Sequence, residues 1–217
     1  MKEITLVRHG QANSEAKDEE SYDWLSDLGH QQAEWLGEYL RGHPGFDRIV
    51  SGTMRRQIQT AKGLNVSALP HDHDARLNEL DYFGLSTALR DDHGVPFPET
   101  HESFAAHVPQ VIDVWRAGRL RPVVESYEHF RSRIFAAASD AAEQSERPLL
   151  VTSTGVIATL TAMALGLDTT AKSKIFLSIS HTSLHRFALR GGELHLMQFG
   201  ATPHLDTPQR LASRTFI

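Results

Sequence analysis

The sequence predicts an α/β protein: a three-layer α/β/α sandwich whose sheet is mostly parallel with an antiparallel edge. Three observations support this fold class. Short apolar runs alternate with longer segments of helical periodicity along most of the 217 residues. Polar or basic residues follow these runs, as is typical where ligands bind beyond the carboxyl ends of parallel strands. A hairpin pattern surrounds Gly191-Gly192 near the end of the chain.

The amino-terminal part of the chain predicts a strand, a loop and a helix. Ile4–Val7 is an apolar run short enough for a buried parallel strand, and the tripeptide RHG follows it. The polar segment 11–24 is predicted to be a loop. Apolar residues at helical spacing then predict a helix over Asp27–Arg41.

The middle of the chain predicts a second strand over Phe46–Ser51 and a helical segment over 53–64. Segment 65–85 is mixed, which favours a short strand plus a loop. From about Phe83 to Val124 the chain is rich in proline, glycine and charge, and it contains an amphipathic helical stripe. We interpret residues 83–124 as a cap-like insertion within a single domain that spans residues 1–217.

The last third of the chain returns to alternating elements. Ser126 is the predicted N-cap of a helix over Tyr127–Ala141. Leu149–Thr152 predicts a strand, Val156–Leu165 predicts a helix, and the hairpin follows. The polar segment after Gly200 is predicted to be irregular.

The composition is that of an ordinary globular protein, with 40% hydrophobic and 23% charged residues. The net charge of −5 does not favour a nucleic-acid surface. The absence of cysteine excludes disulfides and thiolate metal sites. No apolar run approaches about 18 residues, and the first ten residues lack a secretory pattern. We therefore predict a cytoplasmic protein without membrane or nucleic-acid partners; the oligomeric state is not indicated.

The motif LVRHGQ places a histidine and an arginine at the end of the first strand. A neutral histidine nitrogen can attack phosphorus without first losing a proton. Arg8 can neutralise the oxygens of the transferring group, and Gly10 lets a phosphate approach the backbone. The alternative is an exposed turn in which Arg8 and His9 have no chemical role.

The segment SGTMRRQIQTA adds a second basic strand end. Arg55 and Arg56 begin the helix after the second strand, where backbone N–H groups already favour an anion. These arginines could also belong to a solvated helix face. Two such strand ends favour a phosphate site, because phosphoryl transfer depends mostly on positioning and charge stabilisation.

Five segments together resemble the histidine phosphatase superfamily, which includes the phosphoglycerate mutases and acid phosphatases. The resemblance extends over roughly Ile4 to Phe199. In chain order its segments are RHG at Arg8–Gly10, LSDLGHQQAEWLG at Leu25–Gly37, SGTMRRQIQTA at Ser51–Ala61, RLNELD at Arg76–Asp81 and ESYEHFRSRI at Glu125–Ile134.

The resemblance implies a mechanism that needs neither a metal nor a cofactor. It implies that His9 takes the phosphoryl group as a phosphohistidine. It places the phosphate-binding arginines at Arg8 and Arg56, and it places a proton-donor carboxylate at Glu79. Such a carboxylate has to be kept partly neutral, which burial favours.

The chain departs from the family pattern at the second histidine, which the family carries after a later strand. The matching segment here is TSTGVI, and Thr154 stands where that histidine is expected. Loss of one such donor costs on the order of 10²–10³-fold in rate in comparable sites. Thr154 could still donate one neutral hydrogen bond. We assign Thr154, Gly10 and Gln11 to substrate binding.

Another histidine could take the missing place. His181 precedes the hairpin, and we expect it near the start of an edge strand, where the returning chain could reach the site. It could instead only cap a loop. His101 and His107, both in the insertion, are further candidates. We include His181 among the substrate-binding residues.

Two other motifs suggest different chemistry. HDHD at His71–Asp74 could ligate zinc, but Ala75 stands where a metallohydrolase pattern needs an acid, so a polar loop is favoured. VTSTG could present Ser153 as a nucleophile. However, Val151 occupies a position where the strained nucleophile turn needs glycine.

The sequence therefore predicts a hydrolase that acts on a phosphomonoester through His9, with a small phosphorylated molecule or inorganic phosphate as its ligand. The alternative is a catalytically weakened phosphate-ligand-binding or regulatory protein of the same fold. A phosphoglycerate-type mutase is less favoured, because LDYFGL after Glu79 does not keep the mutase-like stretch RHYGGLQG. The basic residues of the insertion also form no obvious clamp for a second phosphate: Arg90, Arg116, Arg119 and Arg121.

Overall fold

The computed structural model describes residues 2–13, 19–43, 45–121 and 125–216. One sheet has the strand order β3-β2-β4-β1-β5-β6. Its strands are β1 (Lys2–Arg8), β2 (Arg48–Ser51), β3 (His71–His73), β4 (Pro148–Thr152), β5 (Leu184–Arg190) and β6 (Glu193–Ala201). Strands β1 to β4 are parallel, whereas β5 is antiparallel to β1 and β6 is antiparallel to β5. The predicted mostly parallel sheet with an antiparallel edge is confirmed.

Helices connect the strands and cover both faces of the sheet. They are α1 (Glu19–Tyr22), α2 (Asp27–Arg41), α3 (Arg55–Leu64), α4 (Tyr82–His93), α5 (His101–Arg116), α6 (Tyr127–Gln144), α7 (Thr154–Leu165) and α8 (Thr169–Ser178). Short 3₁₀ turns cover Ala75–Leu77 and Leu211–Ser213. In the described part of the chain, no helix is both long and apolar enough to cross a membrane.

The central strands are buried because their side chains alternate between two cores. Val7 and Leu149 point toward the layer of α2 and α3, where they pack with Leu36. Leu6 and Leu150 point the other way, into a core that α4 to α7 complete. A strand covered on both faces needs apolar residues throughout. This requirement explains the continuous apolar runs in the sequence.

Predicted and observed boundaries agree best where a cap fixes the helix end. The bounds of α2 coincide with the predicted helix, and Ser26 accepts a hydrogen bond from Gly29 N at 3.1 Å. Ser126 caps α6 as predicted, accepting from His129 N at 3.2 Å. These caps are local, so the sequence alone reports them.

Three helices were not predicted. Helix α1 lies in the polar segment that the sequence predicts to be a loop, and most of α4 lies in segment 83–124, where the sequence predicts only the stripe of α5. Helix α8 is the third, and it was missed because its apolar residues form no single stripe. Segment 83–124, which the sequence predicts to be a cap-like insertion, contains most of α4 and all of α5; its residues 122–124 lie outside the described ranges.

The prediction that His181 precedes an edge strand is wrong. The strand after it, β5, lies between β1 and β6, and the edge strand is β6. The hairpin itself is confirmed, with Gly191 and Gly192 at φ 58° and 83° in its turn. Both values lie in the left-handed region that favours glycine.

Candidate active site

Three strand ends and one loop meet at a cavity of about 280 Å³. Arg8 and His9 stand at the end of β1, Arg56 lies in the first turn of α3 after β2, and Thr154 is the first residue of α7 after β4. Glu79 reaches the same cavity from the loop that follows β3. The carboxyl ends of parallel strands share one edge of a sheet, so residues far apart in the sequence line one wall.

The His9 ring is buried and held in one tautomer. Its Nδ1 lies 2.8 Å from Gly10 O, and because a carbonyl oxygen can only accept, Nδ1 carries the proton. The other ring nitrogen, Nε2, then has a lone pair. Burial, helped by the positive charges of Arg56 and Arg8, lowers the pKa of His9 well below its usual value. The ring is therefore neutral at neutral pH, as a nucleophile toward phosphorus must be.

Arg8 and Arg56 bring positive charge to the cavity although both are buried. Arg8 Nη1 donates to two backbone carbonyl oxygens, those of Ile179 and Phe216. Burial lowers the pKa of Arg8, and the nearby Tyr22 and Glu79 oppose this effect.

Arg56 is oriented by two neighbours from the region of α1. Its Nη1 lies 3.0 Å from Asp23 Oδ1, and its guanidinium group lies 5.0 Å from the centre of the Tyr22 ring. Guanidinium groups match the oxygens of a phosphate in charge and geometry. Arg8 and Arg56 can therefore hold a phosphoryl group in front of His9.

Glu79 lies against the amino-terminal end of α7. Its carboxylate accepts from Gly155 N at 2.9 Å and from Leu80 N at 2.9 Å. Burial raises the pKa of Glu79, while these two amides, Arg56 and Arg8 oppose the rise. A carboxyl group whose pKa is raised can stay protonated near mildly acidic pH and act as a proton donor.

Gly155 is what allows Glu79 to approach α7. A Cβ atom at position 155 would overlap Glu79 Oε1 and would lie 2.6 Å from Leu80 Cδ2. The glycine of TSTG therefore has a steric role, because any larger residue has to displace the carboxylate of Glu79.

The two hydroxyl residues before that glycine have different surroundings. Ser153 is fully buried, and its Oγ accepts a hydrogen bond from Gln57 Nε2 at 2.8 Å. Thr154 lines the cavity at the start of α7, where helix N–H groups favour an anion. Of the two, the threonine is placed to meet a phosphoryl group.

His181 lies beside His9, with 5.7 Å between the ring centroids. The antiparallel pairing of β5 with β1 causes this, since it sets Leu184 opposite Val7 and so brings the residues before β5 to the end of β1. The side chain of His181 is buried, and it is not one of the described residues that line the cavity. Burial lowers the pKa of His181 well below its usual value, and the charge of Arg8 adds to this.

A short chain of hydrogen bonds holds the His181 ring. Its Nδ1 lies 2.9 Å from Thr215 Oγ1 and 3.1 Å from Thr215 O. Thr215 Oγ1 in turn accepts from Gln32 Nε2 at 3.0 Å. Two tautomers fit these contacts. If the threonine hydroxyl donates to Nδ1, His181 Nε2 carries the proton; if Nδ1 donates to Thr215 O, Nε2 has a lone pair.

Gly10 and Gln11 are close to the site in sequence but do not line the cavity. Gly10 N donates to Thr60 Oγ1 at 2.9 Å, and the backbone of α2 leaves no room for a Cβ at position 10. Gln11 N donates to Gln32 Oε1 at 2.9 Å, and Gln11 Oε1 accepts from Ser26 Oγ at 2.8 Å. Both residues hold α2 against the end of β1.

Aromatic residues that the sequence did not assign complete the cavity. They are Tyr22, Tyr82, Phe83, Phe97, Phe104, Phe176 and Phe216. The density of aromatic residues between positions 82 and 104 is a sequence signal that could have been used. Tyr22, Phe176 and Phe216 carry no such signal, because only the folding of their segments brings them to the cavity.

The other predicted histidines lie in different surroundings. His71 and His73 are part of β3 rather than of a polar loop, and both contact Ser51 Oγ, at 2.9 Å and 3.1 Å. Within the described ranges, no group of three His, Asp or Glu residues could hold a metal ion. His107 is buried, with Nδ1 2.8 Å from Tyr82 Oη, and the side chain of His101 lies outside the description.

Comparison with protein families gives a match to the model described as histidine phosphatase superfamily (branch 1), over residues 4–202. Comparison with curated proteins gives no match.

Several solved structures share the fold. Phosphoglycerate mutase from Bacillus anthracis is 24% identical, with a TM-score of 0.70 over 93% of this chain and 94% of that one. Phosphoserine phosphatase from Entamoeba histolytica, solved with 3-phosphoglyceric acid, is 20% identical, with a TM-score of 0.67 over 94% and 100%. A mycobacterial glucosyl-3-phosphoglycerate phosphatase, solved with VO₃, is 23% identical, with a TM-score of 0.66 over 93% and 100%.

Proposed function

The chain belongs to the histidine phosphatase superfamily, and we propose that it hydrolyses a small phosphomonoester through a phosphohistidine on His9. The observation that carries this proposal is the His9 tautomer, in which Nδ1 donates to Gly10 O and Nε2 keeps its lone pair. Phosphatases occur among the structures that share the fold, which is consistent with this activity.

In the first half of the proposed reaction, His9 Nε2 attacks phosphorus and the bond to the ester oxygen breaks. Glu79, whose pKa is raised by burial, gives its proton to that oxygen, and the alcohol leaves. Arg8 and Arg56 balance the charge of the transferring oxygens.

In the second half, the roles of the same groups reverse. Glu79, now ionised, takes a proton from a water molecule, whose oxygen attacks the phosphoryl group. The bond between phosphorus and His9 Nε2 breaks, and inorganic phosphate leaves. Glu79 is then protonated again and His9 is neutral again, so both groups are ready for the next turnover.

We further propose that His181 supplies the hydrogen bond that the family's second histidine would give. The centroids of the His181 and His9 rings are 5.7 Å apart, and His181 Nε2 carries a proton when Thr215 Oγ1 donates to Nδ1. Thr154 adds a hydroxyl group at the start of α7. Because the pKa of His181 is lowered, the donor is neutral, and we expect a lower rate than a charged donor would give.

Hydrolysis is favoured over mutase activity because a mutase has to hold a second phosphate. Two of the four arginines of segment 83–124 have other partners: Arg121 pairs with Asp92, and Arg116 Nη1 donates to Thr169 Oγ1 at 3.0 Å. Of the described residues that line the cavity, only Arg8 and Arg56 are arginines or lysines.

The test is turnover of 4-nitrophenyl phosphate together with trapping of the intermediate. We expect the native protein to gain the mass of one phosphoryl group after an alkaline quench. His9→Ala should lose both this adduct and turnover, whereas His30→Ala, at an exposed position of α2, should keep both.

Two other results would contradict the proposal. Undiminished turnover in His9→Ala would exclude the histidine mechanism. Absence of turnover in the native protein, with inorganic phosphate still bound by calorimetry, would instead support a phosphate-binding protein.

A further inference from the structure

The cavity has two chemically different parts. Arg8, His9, Arg56, Glu79 and Thr154 form a polar end, where the proposed phosphoryl transfer takes place. The remaining described lining is apolar or aromatic. A substrate whose phosphate occupies the polar end therefore presents its alcohol portion to aromatic side chains.

The aromatic part is assembled from separate segments of the chain. Tyr82 and Phe83 begin α4, Phe97 lies in the connection to α5, Phe104 lies on α5, and Phe176 lies on α8. Each of these side chains is partly buried. The wall is thus built by the insertion and by α8, outside the segments that carry the motif residues.

The rings of this wall meet at angles that suit a further ring. The centroids of Tyr82 and Phe104 are 5.3 Å apart in a tilted arrangement, and those of Tyr82 and Phe83 are 6.2 Å apart, edge to face. Aromatic rings favour tilted and edge-to-face contacts at such distances. An aromatic group on the substrate would continue the same packing.

The described lining has no further cation that could pair with a second anionic group of the substrate. Arg8 and Arg56 are needed by the phosphate, and Arg56 also pairs with Asp23. In the described part of the lining no other arginine or lysine occurs. A carboxylate beside Phe104 would lose its hydration without a cation in the described lining to pair with, which is costly. The guanidinium group of Arg90 lies 5.6 Å from the centre of the Phe97 ring, but it is paired with Asp91 at 2.9 Å.

We propose that the substrate is a phosphate monoester of an uncharged alcohol that carries an aromatic ring, held between α4, α5 and α8. This inference rests on the proposed phosphatase function, which it extends to a substrate class. The proposed substrate differs from the ligand of one structural relative, since 3-phosphoglyceric acid carries a carboxylate.

The test compares substrates that differ only in the ring or in the charge. Ethyl phosphate and 2-phenylethyl phosphate have similar leaving groups, and phosphoserine adds charged groups to the same two-carbon frame. We expect kcat/KM for 2-phenylethyl phosphate to exceed that for ethyl phosphate by about tenfold or more, because the ring is buried. Phosphoserine should be the poorest of the three.

Matched variants locate the effect. In Phe104→Leu, the ratio of kcat/KM for 2-phenylethyl phosphate to that for ethyl phosphate should fall several-fold toward one. Phe46→Leu makes the same change before β2, at the opposite end of the sheet, and should keep the native ratio. Phe97→Arg places a cation in the wall and should raise the relative rate with phosphoserine.

Binding separates this inference from the phosphatase proposal. In His9→Ala, calorimetry should show tighter binding of 2-phenylethyl phosphate than of ethyl phosphate, whether or not the native protein turns them over. Equal binding and equal kcat/KM of the two esters would overturn the inference while leaving the phosphatase function intact. Absence of turnover with preserved ring-dependent binding would overturn the function alone.

Discussion

At the scale of single residues, Glu79 controls how the proposed reaction depends on pH. Burial raises its pKa, so the acid form that donates a proton persists to higher pH than in water. The pKa of His9 is lowered, so its nitrogen stays unprotonated to lower pH. Activity should therefore be highest at mildly acidic pH and should decline as pH rises through the raised pKa of Glu79.

Glu79→Gln tests this assignment. The amide has one oxygen, so it can accept from Gly155 N or from Leu80 N but not from both, and it cannot donate a proton to the leaving oxygen as an acid. We expect kcat for ethyl phosphate to fall by about 10²–10⁴-fold and the alkaline decline to disappear from the pH profile. The loss should be smaller with 4-nitrophenyl phosphate, whose leaving group departs without a proton. An equal loss with both esters would contradict the role as an acid.

Gly155→Ala tests the steric role of the glycine. The added methyl group has to displace the end of the Glu79 side chain, which is flexible, rather than the backbone. We expect kcat to fall by about 10²-fold, because a misplacement of about 1 Å is enough for such a loss. The free energy of unfolding should change by less than about 1 kcal/mol. Native kcat in this variant would show that Glu79 does not need its present position.

Two substitutions distinguish the roles of the two ring nitrogens of His181. His181→Asn keeps a group near Nδ1, which contacts Thr215, whereas His181→Gln keeps a donor near Nε2. If Nε2 donates to the phosphoryl group, kcat should be retained better in the glutamine variant, by about tenfold. Better retention in the asparagine variant would indicate that His181 only supports the segment around Thr215. Thermal unfolding of both variants controls for stability.

At the scale of elements, α6 fixes the loop that carries Glu79. Arg133 Nη1 donates to Arg76 O at 2.6 Å and to Asn78 O at 2.9 Å. The other nitrogens of this guanidinium group bind the carboxylate of Glu125 at 2.7 Å and 2.9 Å. Arg133 is thus a positioning residue, since it acts on the reaction only through the backbone before Glu79.

Arg133→Met should therefore affect both stability and catalysis. We expect a loss of about 2 kcal/mol in the free energy of unfolding, because hydrogen bonds to a charged group are removed. We also expect the alkaline limb of the pH profile to shift, as it reports the surroundings of Glu79. Arg131→Met is the matched control. Arg131 is exposed, and its ion pair with Glu128, at 3.5 Å, is expected to contribute little to stability. A shift of the limb in the control would contradict the assignment.

At the scale of the whole molecule, buried histidines make stability depend on acid. Burial lowers the pKa of His185 to about 3 and that of His204 to about 4. Below about pH 6.5 the unfolded chain binds protons that the folded chain does not. The contribution of His185 and His204 to the free energy of unfolding is therefore complete above pH 6.5, and it is lost as the pH falls toward their pKa values in the folded chain.

The free energy of unfolding should decrease by about 1.4 kcal/mol per pH unit for each of these two groups. Between pH 6.5 and 5 we expect these two groups to account for a loss of about 3 kcal/mol in the free energy of unfolding, measured by urea unfolding. His204→Gln can keep the donor that contacts Thr182 Oγ1 at 2.8 Å, and it should reduce the slope by one proton. An unchanged slope would show that His204 does not control acid unfolding.

The sequence by itself determined the fold class and the polar end of the site. Periodicity and caps are local, so they gave the bounds of α2 and the start of α6. The order of strands and helices placed Arg8, His9 and Arg56 at one edge of the sheet. The shared sequence pattern added Glu79 and Thr154, which line the same cavity.

Only the tertiary structure decided what surrounds these residues. The place of β5 beside β1, rather than at the edge, brings His181 to His9. The aromatic wall likewise depends on how α1, α4, α5 and α8 fold back over the cavity. Strand order and the closure of long connections depend on contacts between residues far apart in the chain, and no local pattern records them.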